Sequence, residues 1–89
     1  MVSKATKVIN KEGFHMRPAN AFIQEMNKFQ SDVTIIFNGK EVNAKSIMNI
    51  MAACIKFGSE IEVQANGPDE EAALAKAIEL IDNKLGDPE

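Results

Sequence analysis

At 89 residues the chain has room for one small domain and none for a second. A hydrophobic share of 45% excludes disorder, although a chain this short buries only about 60% of its unfolded surface. Thirteen acids against ten bases leave a net charge of -3, spread along the sequence without the basic stripe that nucleic acid requires.

The longest apolar run, Ile50 to Ile55, is far below the ~18 residues that cross a bilayer. The segment Met1 to Lys7 lacks the apolar stretch of a secretory signal. Cys54 is the one cysteine, so no intramolecular disulfide is available, and the residue reads as a small buried apolar side chain in a reducing compartment. With His15 the one histidine, a structural zinc site is close to excluded. These features lead to the expectation of a cytoplasmic monomer without cofactor, metal, membrane contact or nucleic acid.

In chain order, Lys4 to Ile9 has the Thr, Val and Ile content of a strand with untidy alternation, and Asn10 to Gly13 reads as a loop. From Arg17 to Phe29, Ala19, Phe22, Ile23, Met26 and Phe29 recur at the spacing of an amphipathic helix, with Pro18 in its first turn. Val33, Ile35 and Phe37 alternate in a strand over Asp32 to Phe37. Asn38-Gly39 then predicts a type I′ hairpin turn, and Lys40 to Ala44 the returning strand. Ser46 is placed to cap a short helix from Ile47 to about Ala53.

After Gly58, Ile61, Val63 and Ala65 share one face of a strand over Glu60 to Ala65, opposite Glu60, Glu62 and Gln64. Asp69 is the expected side-chain cap of a last helix. Glu70 and Glu71 lie in its first turn, Leu74, Ile78, Ile81 and Leu85 form its buried stripe, and Gly86 stops it. The order βαββαβα predicts an α+β fold: an open-faced sandwich with a four-stranded antiparallel sheet and three helices on one face, in a single domain over 1–89.

Two segments can carry chemistry. His15 lies at the start of a helix in Gly13-Phe14-His15-Met16-Arg17-Pro18-Ala19. Unpaired N–H groups make a helix start an anion site, and an imidazole there is a nitrogen nucleophile. Arg17 adds a guanidinium fork suited to phosphate oxygens. Together these can accept and hold a phosphoryl group. No nucleotide loop or metal ligand set accompanies them, so a carrier fits better than a kinase. A hydrolase is disfavoured because no second acid or nucleophile stands nearby.

The second segment is Lys45-Ser46-Ile47-Met48-Asn49-Ile50-Met51. Here Ile47 and Ile50 are expected to face inward, leaving Met48 and Met51 as adaptable docking surface. A phosphate on Ser46 would repel an acidic partner approaching that patch.

The first segment resembles the active-site motif of the HPr family, the histidine-containing phosphocarriers of the bacterial phosphoenolpyruvate:sugar phosphotransferase system. Lys45-Ser46-Ile47-Met48 resembles the regulatory segment of that family, and the Asn38-Gly39 hairpin and Gly67-Pro68-Asp69-Glu70-Glu71-Ala72-Ala73-Leu74 fit it too. The resemblance spans essentially the whole chain. It implies that His15 receives phosphate on Nδ1 from enzyme I and passes it to the IIA domains of sugar permeases, with Arg17 stabilising the transferred group. It also implies that Ser46 is the target of HPr kinase/phosphorylase, and that the seryl-phosphorylated form meets a catabolite control protein. Met16, Asn20, Ile47, Met48 and Met51 would then form the partner-docking face.

The family pattern is broken at Phe14, Met16, Asn20 and Asn49 and over Ala52-Ala53-Cys54. These changes leave the His/Arg chemistry intact and bear on partner choice. A competing reading is a regulatory relative that acts mainly through phosphorylated Ser46.

Overall fold

The computed structural model describes residues 1–86, so the last three positions of the expected 1–89 domain lie outside the described residues. β1 (Val2–Lys7), β2 (Asp32–Phe37), β3 (Lys40–Asn43) and β4 (Glu60–Asn66) form one antiparallel sheet in the order β1-β4-β2-β3. The helices α1 (Met16–Met26), α2 (Ile47–Ala53) and α3 (Glu70–Asp82) complete the βαββαβα order, followed by a short 3-10 turn at Lys84–Gly86. Val33, Ile35, Val42, Ile61, Val63 and Ala65 from the sheet meet Phe22, Met26, Ile50, Ala73, Ala77 and Ile81 from the helices in one buried cluster. The other sheet face, with Glu60, Glu62, Thr34 and Glu41, stays outside this cluster, as the period-2 pattern requires.

The central hairpin forms as its sequence dictates. Asn38 and Gly39 have φ of 53° and 78°, the two positive values of a type I′ turn, and Phe37 pairs with Lys40 across it. β1, in contrast, lies two residues earlier than its composition suggests. Its partner strand starts only at Glu60, opposite Lys7, so the ladder ends there. Val2 and Lys4 instead line a groove against Leu74 and Ile78 of α3, and Thr6 Oγ1 donates to Asp82 Oδ1 at 2.8 Å. Polar residues on the inward side of an edge strand account for the untidy alternation.

Two helix ends differ from expectation. α1 stops at Met26, and the N–H groups of Lys28 and Phe29 turn back to Glu25 and Met26 at 3.2 and 3.1 Å. Phe29 still packs on the core, but from a turn. α3 ends at Asp82, before Gly86: Lys84 and Leu85 take positive φ of 60° and 55°, and Leu85 is buried from the 3-10 turn. Within α3 the buried stripe is Ala73, Ala77, Ile78 and Ile81, with Leu74 at its half-buried margin. The alanines let the helix lie close to the sheet.

Asp69 occupies the N-cap position of α3, yet its carboxylate does not cap the helix. It reaches across to the α1–β2 connection. Oδ2 accepts the Gln30 N–H at 3.0 Å, and Oδ1 accepts the Ser31 N–H at 2.9 Å and the Ser31 hydroxyl at 2.5 Å. Ser31 Oγ in turn accepts the Asp69 N–H at 3.2 Å. Gly67 completes this lock, because a Cβ there would lie 2.6 Å from Ser31 Cα. The Ser31 hydroxyl foremost, then the Gln30 N–H, holds the Asp69 carboxyl below its ordinary range.

A carboxyl lowered in the folded state contributes stability that is present above its unfolded value of about 3.9 and lost as pH falls through the folded value. Urea midpoints measured from pH 7 down to pH 2 should therefore fall in the acid limb. Asp69→Asn should lower the midpoint at pH 7 and flatten that limb, leaving the part that belongs to Glu25 and Glu70, whose carboxyls are also lowered.

Candidate functional site

The loop before α1 is fixed by its backbone. Gly13 has φ of +64°, its N–H bonds Asn10 O at 3.1 Å, and its carbonyl accepts from Asn10 Nδ2 at 2.6 Å. Asn10 is fully buried, so a residue that reads as ordinary loop is the inner brace of the turn. The next N–H, of Phe14, bonds Ile55 O at 3.0 Å, and the bonds Val8 N to Ser59 O and Gly58 N to Val8 O, at 2.9 and 2.8 Å, continue the same seam. A Cβ on Gly13 would stand 2.5 Å from Ile55 O and 2.7 Å from Lys56 Cα, closer than any real side chain approaches. Phe14 is buried edge-on against Phe22, with ring centroids 5.3 Å apart and planes at 84°. Such a pair adds about 0.5–1.5 kcal/mol beyond its buried area. The departure at Phe14 thus tightens the anchor beneath the neighbouring histidine.

His15 follows as the N-cap of α1, extended at φ -79° and ψ 176°, and its carbonyl accepts the first helical bond from Ala19 at 3.0 Å. Its side chain does not cap the helix, and the first turn carries no acid. The ring is half-exposed, while Met16, Arg17 and Asn20 are exposed and Pro18 and Ala19 are buried. Helix periodicity explains the split: Ala19, Phe22 and Met26 take the core side and leave the opposite edge to solvent. The arrangement is a half-exposed imidazole at a helix start, with a guanidinium on the same turn and no acid within that turn.

α2 packs against α1. Ser46 caps it through Oγ, which accepts the Asn49 N–H at 3.2 Å. Ile50 is buried, Ile47 and Met51 are half-buried against the core, and Met48 is 78% exposed. Of the expected docking residues, Met16, Asn20 and Met48 are thus presented to solvent, and Ile47 and Met51 supply margins.

Cys54 corrects an expectation, since it is exposed. It ends α2 in the left-handed conformation at φ 56° and ψ 47°, which turns its side chain out of the core and leaves Ile55 to be buried. Phe57, 61% exposed on the α2–β4 loop beside the Gly13 seam, was not singled out by sequence period, and Ile9 is 40% exposed on the facing strand exit. The signal for Phe57 was its isolation between Lys56 and Gly58, outside any alternating run.

His15 and Arg17 present half-exposed and exposed side chains at the start of α1. A groove of about 550 Å³ lies elsewhere, between the β2–β3 hairpin and α2, lined by Phe37, Val42, Met48, Asn49, Ala52 and Ala53 among others. A half-exposed histidine among exposed neighbours suits contact with a protein better than enclosure of a small substrate. Among the described residues, no group of three His, Cys, Asp or Glu side chains is placed to hold a metal, and no helix is long and apolar enough to cross a membrane.

A family signature described as "PTS HPr component phosphorylation site" matches residues 2–83. The chain belongs to the HPr family. It is 43% identical over 85 residues to the "Phosphocarrier protein HPr" of Treponema pallidum, covering 96% of this chain and 97% of that one. It is 41% identical over 85 residues to the "HPr-like protein Crh" of Bacillus subtilis, covering 96% of this chain and 100% of Crh. In three dimensions it superposes on the HPr of Thermoanaerobacter tengcongensis with a TM-score of 0.95 at 38% identity, across all of both chains. The open-faced sandwich expected from the sequence is therefore the HPr fold.

Because the Gly13 seam is backbone against backbone, the loop cannot yield to a side chain. Gly13→Ala should cost at least about 2 kcal/mol of stability. Chemical denaturation would show the loss, and Gly39→Ala, where a Cβ meets nothing within 4 Å, gives the positive-φ cost alone for comparison.

Proposed function

We propose that this protein carries a phosphoryl group on His15 Nδ1, receiving it from phosphorylated enzyme I and passing it to the IIA domains of sugar permeases. The observation that carries this reading is the half-exposed ring at the start of α1, with Arg17 on the first turn and no acid within that turn. An imidazole lone pair attacks the donor's phosphorus, the new N–P bond forms as the donor's P–N bond breaks, and the steps reverse at the acceptor. The transferring PO3 unit meets helix N–H dipoles and a guanidinium fork, both of which favour concentrated negative charge. The chain serves as a carrier with no catalytic cycle of its own, acting in the cytoplasm as a monomer in one 1–89 domain.

Met16, Asn20, Ile47, Met48 and Met51 form the docking face in this reading, with Met48 its most exposed member. Incubation with phosphoenolpyruvate and enzyme I should place one acid-labile, base-stable phosphoryl group on the protein. His15→Ala should take up none, and label retained in that variant would refute the assignment. Arg17→Ala should fold normally and slow transfer at least about tenfold. Met48→Glu, by contrast, should raise KM for enzyme I while changing kcat little.

Ser46 supports a regulatory layer: phosphorylation by HPr kinase/phosphorylase would place up to two negative charges beside Met48 and repel an acidic partner. The likeness to Crh favours a second reading, in which phosphorylated Ser46 and a catabolite control protein are the main business of the chain. If so, Ser46→Ala would abolish binding to that protein while His15→Ala preserved it.

A further inference from the structure

The first turn of α2 holds a side-chain contact that the chemistry at His15 does not use. Ser46 Oγ accepts the backbone N–H of Asn49 at 3.2 Å and the Asn49 carboxamide, through Nδ2, at 3.0 Å. A hydroxyl oxygen has two acceptor lone pairs, so a single residue engages both.

We propose that Asn49 is a specificity-determining residue for phosphorylation of Ser46, its carboxamide lowering the readiness of the hydroxyl to accept a phosphoryl group. The proposal rests on the reading of Ser46 as a phosphorylation site. In the transfer, the bond from Oγ to phosphorus forms while the bond from the γ-phosphorus to the β,γ-bridging oxygen of a nucleoside triphosphate breaks. The hydroxyl proton passes to a base of the kinase, and the nucleoside diphosphate departs. The attacking electron pair is one of the two lone pairs on Oγ, so one bond from Asn49 is given up first.

The backbone bond is the harder one to release, because the helix fixes it: the next N–H, of Ile50, bonds Ser46 O at 3.0 Å. The carboxamide is the one that yields. Asn49 is exposed, and rotation about its own side-chain bonds frees Oγ without moving the helix. Asn49 acts as a positioning residue, a restraint that the kinase displaces before chemistry.

The test is steady-state phosphorylation of the full chain by HPr kinase/phosphorylase and ATP, comparing the unaltered protein with Asn49→Ala. Loss of one neutral hydrogen bond to the nucleophile should raise kcat about two- to tenfold with KM unchanged. Amide exchange at Ile50 should stay as it was, because the helix itself does not need the carboxamide. An unchanged kcat would overturn the proposal while leaving Ser46 as the acceptor. A higher kcat accompanied by faster exchange at Ile50 would overturn it too, since fraying of α2 would then explain the gain. If the unaltered protein takes up no phosphate on Ser46, both the proposal and the regulatory reading fail together.

Discussion

Gly13 lies so close to the backbone of Ile55 and Lys56 that no other residue fits between them. That approach, with the bond from Phe14 N–H to Ile55 O, joins the segment before α1 to the segment after α2. It fixes where the first helix begins and which way its opening N–H groups face. With Phe14 driven into the core and Pro18 buried one turn on, His15 is held from both sides by backbone while its ring stays accessible. The setting of the histidine is thus a property of main-chain packing, and the exposed Met16 and Asn20 take no part in it.

A second lock secures the molecule at Asp69. A carboxylate that could have served its own helix instead gathers two N–H groups and a hydroxyl from the α1–β2 connection. The N–H groups of Gln30 and Ser31 have left α1 without reaching the ladder of β2, and that of buried Ser31 needs a partner. The carboxylate satisfies both and pins the connection just before β2. The locks differ in chemistry, one steric and independent of pH, the other ionic and sensitive to acid.

What the sequence made legible follows from the range of the interactions involved. The hairpin at Asn38-Gly39, β2, and α2 with its Ser46 cap depend on neighbours within four residues, and they lie where local period and turn chemistry put them. The chain past Met26 turns into a connection held by Asp69, which is 39 positions from Gln30, whereas the local apolar spacing runs on to Phe29. Burial of Asn10 and exposure of Cys54 are likewise set by backbone conformation and by partners remote in the chain. The site motif was readable because its residues are consecutive. The hold of Asn49 on Ser46 spans only three positions, the spacing of a reciprocal cap, yet in the sequence Asn49 stands out only as a departure bearing on partner choice.

The half-exposed setting of the His15 ring has a consequence for how energy is kept. In the proposed role, a phosphoryl group on this half-exposed ring meets solvent, which weakens the pull of the helix dipoles on a developing charge. A partner protein closing over the helix start would expel that water. On that reading the isolated carrier is poorly equipped to hasten loss of its cargo to hydrolysis, and the shelter that speeds the handover lasts only for the encounter.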